Sequence, residues 1–429
     1  MPQPRITAVP LYTAQVSMAT ESSQSGPRMG EFVAMMALMT SLVAMSIDVM
    51  LPALAQIGAD LGVQRDNDNQ LVVTMVFVGL AIGQLLYGPL SDSIGRKPAI
   101  YLGFALFFAG SLLAIMAVNV PMMLAGRLLQ GLGVAGPRGV SMALIRDRFA
   151  GRAMARVMSF IMAVFIIVPI VAPALGQVIL LVAAWRAIFV ILFLLGVVAL
   201  VWFGLRQPET LPVERRAPLS LGRISHVFRE VLSHRIALGY TLMAGVVAAV
   251  LQSYLSSAQQ IFQIQYGLGP LFPLFFAINA LAIGLASFTN GRLVLRYGMR
   301  PLLTIALLVF VSVTLVFAGV ALATGGQPPL WLLLAYFVPC FFCLGILFGN
   351  MNAMAMEPLG HIAGVGAAVV GSLSTFVAIP LGAIIGQAYN GTVTPLAIGF
   401  AALALGALGL MRWAERGRMV AAPDTEPVV

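Results

Sequence analysis

Twelve apolar runs, each about the length that an α-helix needs to cross a bilayer, dominate this chain. They occupy residues 32–55, 71–90, 98–118, 121–144, 157–180, 186–205, 236–258, 271–290, 301–323, 330–356, 362–388 and 393–411. Membrane β-strands need only about 10 residues and alternate apolar with polar positions; no such alternation is seen. The expected fold is an all-α membrane protein with twelve transmembrane helices. Composition agrees: of 429 residues, 60% are apolar and 9% charged, against roughly 25% charged in a soluble domain. A soluble globule has no means of covering so much apolar surface. That excludes a cytosolic enzyme, a nucleic-acid-binding module, a secreted disulfide scaffold and, by the same excess, a disordered chain.

Charge placement sets the expected topology. Of the 24 Lys and Arg residues, 20 fall on the side of the two chain ends and only Arg65 and Arg186 on the other. Arg127 and Arg138 lie inside the fourth run. This asymmetry predicts cytoplasmic termini in an inner membrane. The net charge of +9 then reflects orientation, with no nucleic-acid partner. Trp185, Trp202, Trp331 and Trp413 fall at run ends, as an aromatic belt would have them. Residues 1–30 lack the order of a signal peptide and are expected to be a disordered tail, with Met29 an alternative start just ahead of the first run.

The charged stretch 207–235, with Pro208, Pro212 and Pro218, reads as a cytoplasmic linker between an N-terminal bundle at 31–206 and a C-terminal bundle at 236–413. A second tail follows at 414–429. An internal repeat supports the division. Gly88, Leu90, Gly95, Lys97 and Pro98 recur, at a constant offset of 203, as Gly291, Leu293, Gly298, Arg300 and Pro301. Two six-helix repeats in parallel orientation suggest a monomeric transporter that rocks about a midplane site, with a small molecule and the lipid bilayer as its partners.

Ionisable groups inside membrane helices are costly and usually functional. The candidates are Asp48, Arg127 and Arg138. Asp48 lies seven residues from the far end of the first run, about 10 Å, and Arg127 six residues from that end of the fourth, about 9 Å. The two are expected to share one cavity, as a proton-coupling pair or as a static ion pair. A carboxyl whose surroundings alternate between dry and wet takes up and releases a proton, so coupling is the preferred reading. Arg127, Gln130, Val134 and Arg138 share one helical face that looks cavity-lining, although Arg138 would also reach the headgroups. Gly126, Gly131, Gly133, Gly136 and Gly139 would let neighbouring backbones approach. Thr40, Met45, Gln130, Arg138, Gln252, Tyr254, Gln259 and Asn279 are the candidate cavity residues; those of the second half are neutral polar groups, which beside adaptable methionines suit a broad pocket. Gly88, Asp92, Gly95, Arg96 and Arg146 form a candidate cytoplasmic gate, with Asp92 latching to an arginine. Cys340 and Cys343 read as buried thiols, and His226, His234 and His361 lie outside the runs. Without an HExxH pair or a nucleophile–base pair, neither a metal, a cofactor nor an intramembrane enzyme is expected.

The sequence Gly-x-Leu-x-Asp-x-x-Gly-Arg-Lys-Pro at 88–98 resembles the signature loop of the major facilitator superfamily. Arg127-Leu-Leu-Gln-Gly-Leu-Gly133 is similar to the fourth-helix motif of its drug:proton antiporters. Ser46-Ile-Asp-Val-Met-Leu-Pro-Ala53 and Ile145-Arg-Asp147 resemble the bicyclomycin-resistance and chloramphenicol/florfenicol-exporter branch. The resemblance implies the two-bundle major facilitator fold and efflux of small, largely apolar drugs against protons. It also implies Asp48 as proton carrier, Arg127 as its link to the drug site, and Asp92 and Arg96 as gate. Export of a metabolite, or proton symport, is the alternative. Two positions depart from the pattern: Ala172 and Gln177 replace glycines in the fifth-helix motif, which keeps Pro173 and Gly176, and Thr40 stands where some relatives carry a second acid.

Overall fold

The computed structural model describes residues 27–218 and 221–416. Twelve helices there are long and apolar enough to span a membrane, one for each expected run, and the described residues hold no strand. We number them α1 (Met29–Asp48), α2 (Leu71–Ile94), α3 (Arg96–Ile115), α4 (Val120–Arg148), α5 (Gly151–Val182), α6 (Arg186–Arg206), α7 (Arg235–Gln259), α8 (Phe272–Tyr297), α9 (Met299–Ala323), α10 (Leu330–Met356), α11 (Ala363–Gln387) and α12 (Thr394–Glu415). Several extend beyond their apolar runs, because a helix continues into charged turns that the bilayer core does not contain.

Helices α1–α6 pack chiefly on one another, as do α7–α12, and the two bundles meet along α2/α11 and α5/α8. A half-chain shift turns α2 into α8 and α5 into α11, so it exchanges one seam for the other. That is the mark of a pseudo-two-fold pair. The repeat survives at the level of single residues. Gly95 breaks the chain between α2 and α3 at φ 106°, ψ 160°, and Gly298 breaks it between α8 and α9 at φ 78°, ψ 166°. Both values lie where a β-carbon is strained, which is why the repeat keeps glycine at that position.

Close packing in the first bundle depends on absent side chains. A β-carbon on Gly131 would stand 2.1 Å from the Val76 carbonyl oxygen of α2, and one on Gly133 would stand 2.3 Å from the Phe107 nitrogen of α3. Helix α4 is thereby wedged between α2 and α3 at backbone contact. Gly139 differs from its expected role: a β-carbon there meets nothing within 4 Å.

Helix α1 is discontinuous. Pro52 has no N–H to donate to the Asp48 carbonyl and its ring crowds that oxygen. The helix stops at Asp48, a 3-10 turn spans Leu51–Ala53, and a second helical piece runs over Leu54–Asp60. The span therefore reaches Asp60, and Asp48 lies twelve residues from its far end, about 18 Å by helical rise, deeper than the apolar run suggested. Gly176 of α5 packs against this break: a β-carbon there would stand 1.8 Å from the Val49 carbonyl oxygen. This contact accounts for the glycine kept in an otherwise altered fifth-helix motif.

The linker stretch contains an element that the apolar runs did not signal, an amphipathic helix at Leu221–Ser233 with Val227 and Val231 buried. Trp185 is also a correction. It is 1% exposed, and its Nε1 donates to Asp60 Oδ2 at 2.7 Å, so it packs inside the bundle instead of lying in a lipid belt. The expected disordered tails fall, at 1–26 and 417–429, outside the described residues; Met29 already opens α1.

Candidate functional site

A cavity of about 600 Å³ lies between the bundles. Its wall runs from the α2–α3 junction and the neighbouring ends of α4 and α11 inward to Thr40, Phe77 and Gln252. Those junctions lie on the face that carries the ends of the described chain, so the cavity opens toward that face. Thr40 is eleven residues into α1, about 17 Å. Of the eight candidate cavity residues, Thr40, Arg138 and Gln252 line this wall. Met45 is half-buried, whereas Gln130, Tyr254, Gln259 and Asn279 are buried within their bundles.

The fourth-helix face is an internal brace over most of its length. Arg127 is fully buried. Its Nε donates to the Val72 carbonyl of α2 at 3.1 Å, Nη2 to the Ser46 carbonyl of α1 at 2.6 Å, and Nη1 to Gln130 Oε1 at 2.6 Å. Gln130 Nε2 passes the network to Ser111 Oγ of α3 at 2.8 Å. The guanidinium also lies over the Phe189 ring of α6, 5.5 Å from its centroid. The Arg127 side chain thus ties three neighbouring helices to α4, and Gln130 adds a fourth, α3. The Ser46 carbonyl becomes available because α1 breaks two residues later. Sequence reasoning expected Arg127 and Asp48 to face each other across one cavity. Instead the guanidinium takes the backbone beside Asp48, and no ion pair joins the two. The Asp48 carboxyl is 4% exposed, is absent from the open wall and has no hydrogen-bond partner among the described residues. It stands within electrostatic reach of Tyr254 on α7, across the bundle interface. The Tyr254 hydroxyl accepts from Asn279 Nδ2 at 3.0 Å, and its ring packs against Phe276, Phe337 and Phe341.

At the mouth, Asp92 takes Arg96 rather than Arg146. Arg96 Nη1 donates to Asp92 Oδ1 at 2.5 Å and Ser91 Oγ at 2.7 Å, and Nε donates to Asp147 Oδ2 at 3.1 Å. All of these groups belong to the first bundle, so the latch is internal to it in this arrangement. Arg146 instead reaches across the mouth, where its guanidinium faces Gly364 of α11. Gly88 and Ala368 approach there as well, and a β-carbon on Gly88 would lie 3.8 Å from that of Ala368.

Glu209, unnoticed in the sequence, binds this loop from the linker. Its carboxylate accepts from the Arg96 and Lys97 backbone nitrogens at 3.0 and 2.9 Å, and from those of Thr210 and Leu211 at 2.9 Å each. The first two are orphan donors at the start of α3, where a carboxylate is favoured. Partial burial pushes the carboxyl up, but the four backbone donors outweigh it and hold the group below the usual glutamate value. A depressed folded-state value means that the strap contributes at neutral pH and is lost as pH falls through that value. Glu209→Ala is expected to cost about 1 kcal/mol, the usual scale for a lost helix cap. Thermal unfolding in detergent at neutral and acidic pH checks this, with the difference between variant and parent shrinking on acidification.

The opposite end is shut by amides from both bundles. Asn67 Nδ2 donates to the carbonyls of Gln387 and Tyr389 at 2.9 and 2.8 Å, and Gln387 Nε2 returns a bond to the Asn67 carbonyl at 2.8 Å. Gln70 Nε2 donates to Gln260 Oε1 at 2.6 Å and to the Gly386 carbonyl at 3.0 Å, and Gln260 Nε2 donates to Asn67 Oδ1 at 2.9 Å. Sequence reasoning passed over these residues because they lie at run ends, where amides are commonplace. Their one distinguishing signal was the polar Asp66–Gln70 stretch, which forms a 3-10 turn.

Comparison with known proteins gives a consistent outcome. A family model described as Major Facilitator Superfamily matches residues 36–383. The chain is 32% identical over 377 residues to the uncharacterized MFS-type transporter YdgK of Bacillus subtilis, covering 87% of this chain and 93% of that protein. It is 30% identical over 370 residues to a bicyclomycin resistance protein homolog of Haemophilus influenzae, covering 85% of this chain and 91% of that one. Among solved structures it resembles the crystal structure of a D-xylose-proton symporter, with a TM-score of 0.72 at 14% identity over 89% of this chain and 97% of that chain.

Proposed function

The chain belongs to the major facilitator superfamily, as a membrane transporter and not an enzyme, and we propose that it exports small, largely apolar drugs or toxic compounds in exchange for protons. The bicyclomycin-resistance relative supports efflux as the direction. The observation that carries the reading is the one-sided cavity between the bundles, open at the Asp92 end and shut by amides at the other. Substrate enters from the face bearing the chain ends, which the basic-residue asymmetry assigns to the cytoplasm of an inner-membrane protein. The bundles then rock about their two seams. The amide clasp opens, the mouth closes and the compound leaves on the far side. Asp48 suits the coupling role because it is buried beside the interface at the break of α1, where rocking would change its access to water. Arg127 holds that break through the Ser46 carbonyl, so its part is to position Asp48. Only a difference in proton and substrate affinity between the two states drives such a cycle.

The test uses purified protein in vesicles with an imposed pH gradient, screened against amphenicols, bicyclomycin, sulfonamides and lipophilic cations. Export is expected to follow the gradient and to stop with an uncoupler. Gradient-independent movement would overturn proton coupling, and uptake in the direction of the proton would identify symport.

A further inference from the structure

We propose that the outer flank of the α5/α8 seam, where it carries Arg152, Arg156, Arg292 and Arg296, binds the head group of an anionic phospholipid whose chains lie along the apolar surface of the same two helices. The site stands apart from the efflux reading and needs neither its substrate nor its proton.

Helix α5 begins at Gly151 and α8 ends at Tyr297, both on the face that carries the chain ends. Arg152 and Arg296 each lie one residue from those termini, and Arg156 and Arg292 each lie five residues in, about 8 Å by helical rise. One close contact sets the register of this antiparallel seam: a β-carbon on Gly284 would stand 2.5 Å from Ile166 Cγ2. From that contact it is ten residues to Arg156 and eight to Arg292, fourteen to Arg152 and twelve to Arg296. The two pairs are therefore level along the seam. At about 100° per residue all four turn to one flank. Met158 and Met162 of α5, which line the cavity, turn to the other. The arginine flank continues inward as apolar surface. Phe160, Ile167 and Val171 of α5 and Leu281, Leu285 and Phe288 of α8 are each between 49% and 62% exposed there, as residues against lipid chains would be.

The four arginines are exposed, and among the described residues none has an ion pair or a hydrogen bond through its guanidinium. Neither helix contains an acid. The next acid before α5, Asp147, is taken by Arg96, and the next after α8, Glu357, by Arg300. An arginine that merely marked the membrane edge would extend its head to water. Two of these do the reverse. The Arg156 guanidinium lies over the Phe160 ring at 6.0 Å and that of Arg292 over the Phe288 ring at 4.3 Å, and each ring stands four residues deeper in the bundle. Stacking fixes the guanidinium plane and leaves its N–H edges to find acceptors where water is scarce. The paired oxygens of a phosphodiester match that fork, and basic clusters between spans on the cytoplasmic side are suited to anionic head groups. A lipid supplies both halves of the match, the phosphate and the chains that cover the apolar flank. Because α5 and α8 belong to different bundles, a lipid seated here lies against both.

Native mass spectrometry of the purified full-length protein in detergent counts bound lipids by mass. Dioleoyl phosphatidylglycerol, an anion, is expected to bind at least about tenfold tighter than dioleoyl phosphatidylcholine, which has the same chains and no net charge. Arg156→Gln combined with Arg292→Gln should lower that preference at least about fivefold, and lysine at both positions should keep its sign. Arg215→Gln combined with Arg229→Gln removes the same charge from the linker and should change the preference less than about twofold, because the effect of a charge falls off within a Debye length. All four positions are exposed, where substitutions seldom disturb folding, and thermal unfolding of each variant checks this. If the seam pair fails to fold, its single substitutions decide, each lowering the preference at least about twofold. Equal binding of the two lipids, a preference that survives the seam substitutions, or an equal loss in the linker pair would overturn the proposal. Displacement of the lipid by millimolar glycerol 1-phosphate or inorganic phosphate would also overturn it, by assigning the site to a soluble anion. The assay has neither substrate nor gradient, so a failure of efflux or of proton coupling leaves this result standing, and the reverse also holds.

Discussion

Asp48→Asn is expected to reduce gradient-driven transport by at least about a hundredfold, the scale on which a positioned proton-transferring side chain acts. The same substitution should leave thermal stability unchanged or slightly raised. The carboxyl is buried with no hydrogen-bond partner among the described residues, and an amide of the same shape avoids the cost of a charge in that place. The pairing of lost transport with kept stability is what separates a coupling residue from a structural one. Substrate exchange without a gradient should survive in the variant. Transport by Asp48→Asn that still follows an imposed pH gradient would remove this residue from the mechanism.

Arg127→Ala should behave in the opposite way, as a large loss of stability that carries transport down with it. The substitution strips donors from the Ser46 and Val72 carbonyls and from Gln130 Oε1, all inside the first bundle. Each buried acceptor left without a donor costs about 1–3 kcal/mol, and the sum is expected near 3–5 kcal/mol, the scale of a broken buried charged network. Arg127→Lys should recover only part, because one ammonium cannot reach three acceptors set on two other helices and on α4 itself. Unfolding of the detergent-solubilised variants measures this directly. Parent-like stability in Arg127→Ala would show that the network carries little weight. Stability retained in Arg127→Lys alongside lost coupling would assign Arg127 a direct part in proton movement.

These two residues also show how far a linear reading reaches. Both stood out because a charge in the middle of an apolar run is rare and needs a reason. Their relationship was not legible. Matching depth counted along two helices suggested a shared cavity, but the Arg127 donors go to two main-chain carbonyls, one of them at the Pro52 break, and to Gln130 Oε1. A count of residues along a helix does not say which backbone groups a neighbouring turn has released. Tyr254 was likewise marked as polar and worth attention, yet its position against three aromatic rings and opposite Asp48 depends on how two bundles meet.

The length and hydropathy of the runs, the two-fold repeat and the loop at 88–98 were enough to specify twelve spans in two related bundles. The cause is local: a bilayer leaves the backbone no option but to bond within its own helix, and Gly95 and Gly298 impose the same turn in both halves. Which face of each helix meets the cavity, which ends are shut and which bases are already engaged is set by contacts between residues 51 to 320 positions apart. Asn67 with Gln387, Arg96 with Asp147 and Glu209, and Gln70 with Gln260 exist only once the helices are docked. No periodicity announces such contacts, because amides and carboxylates at helix ends look alike until packing decides which partner each one finds.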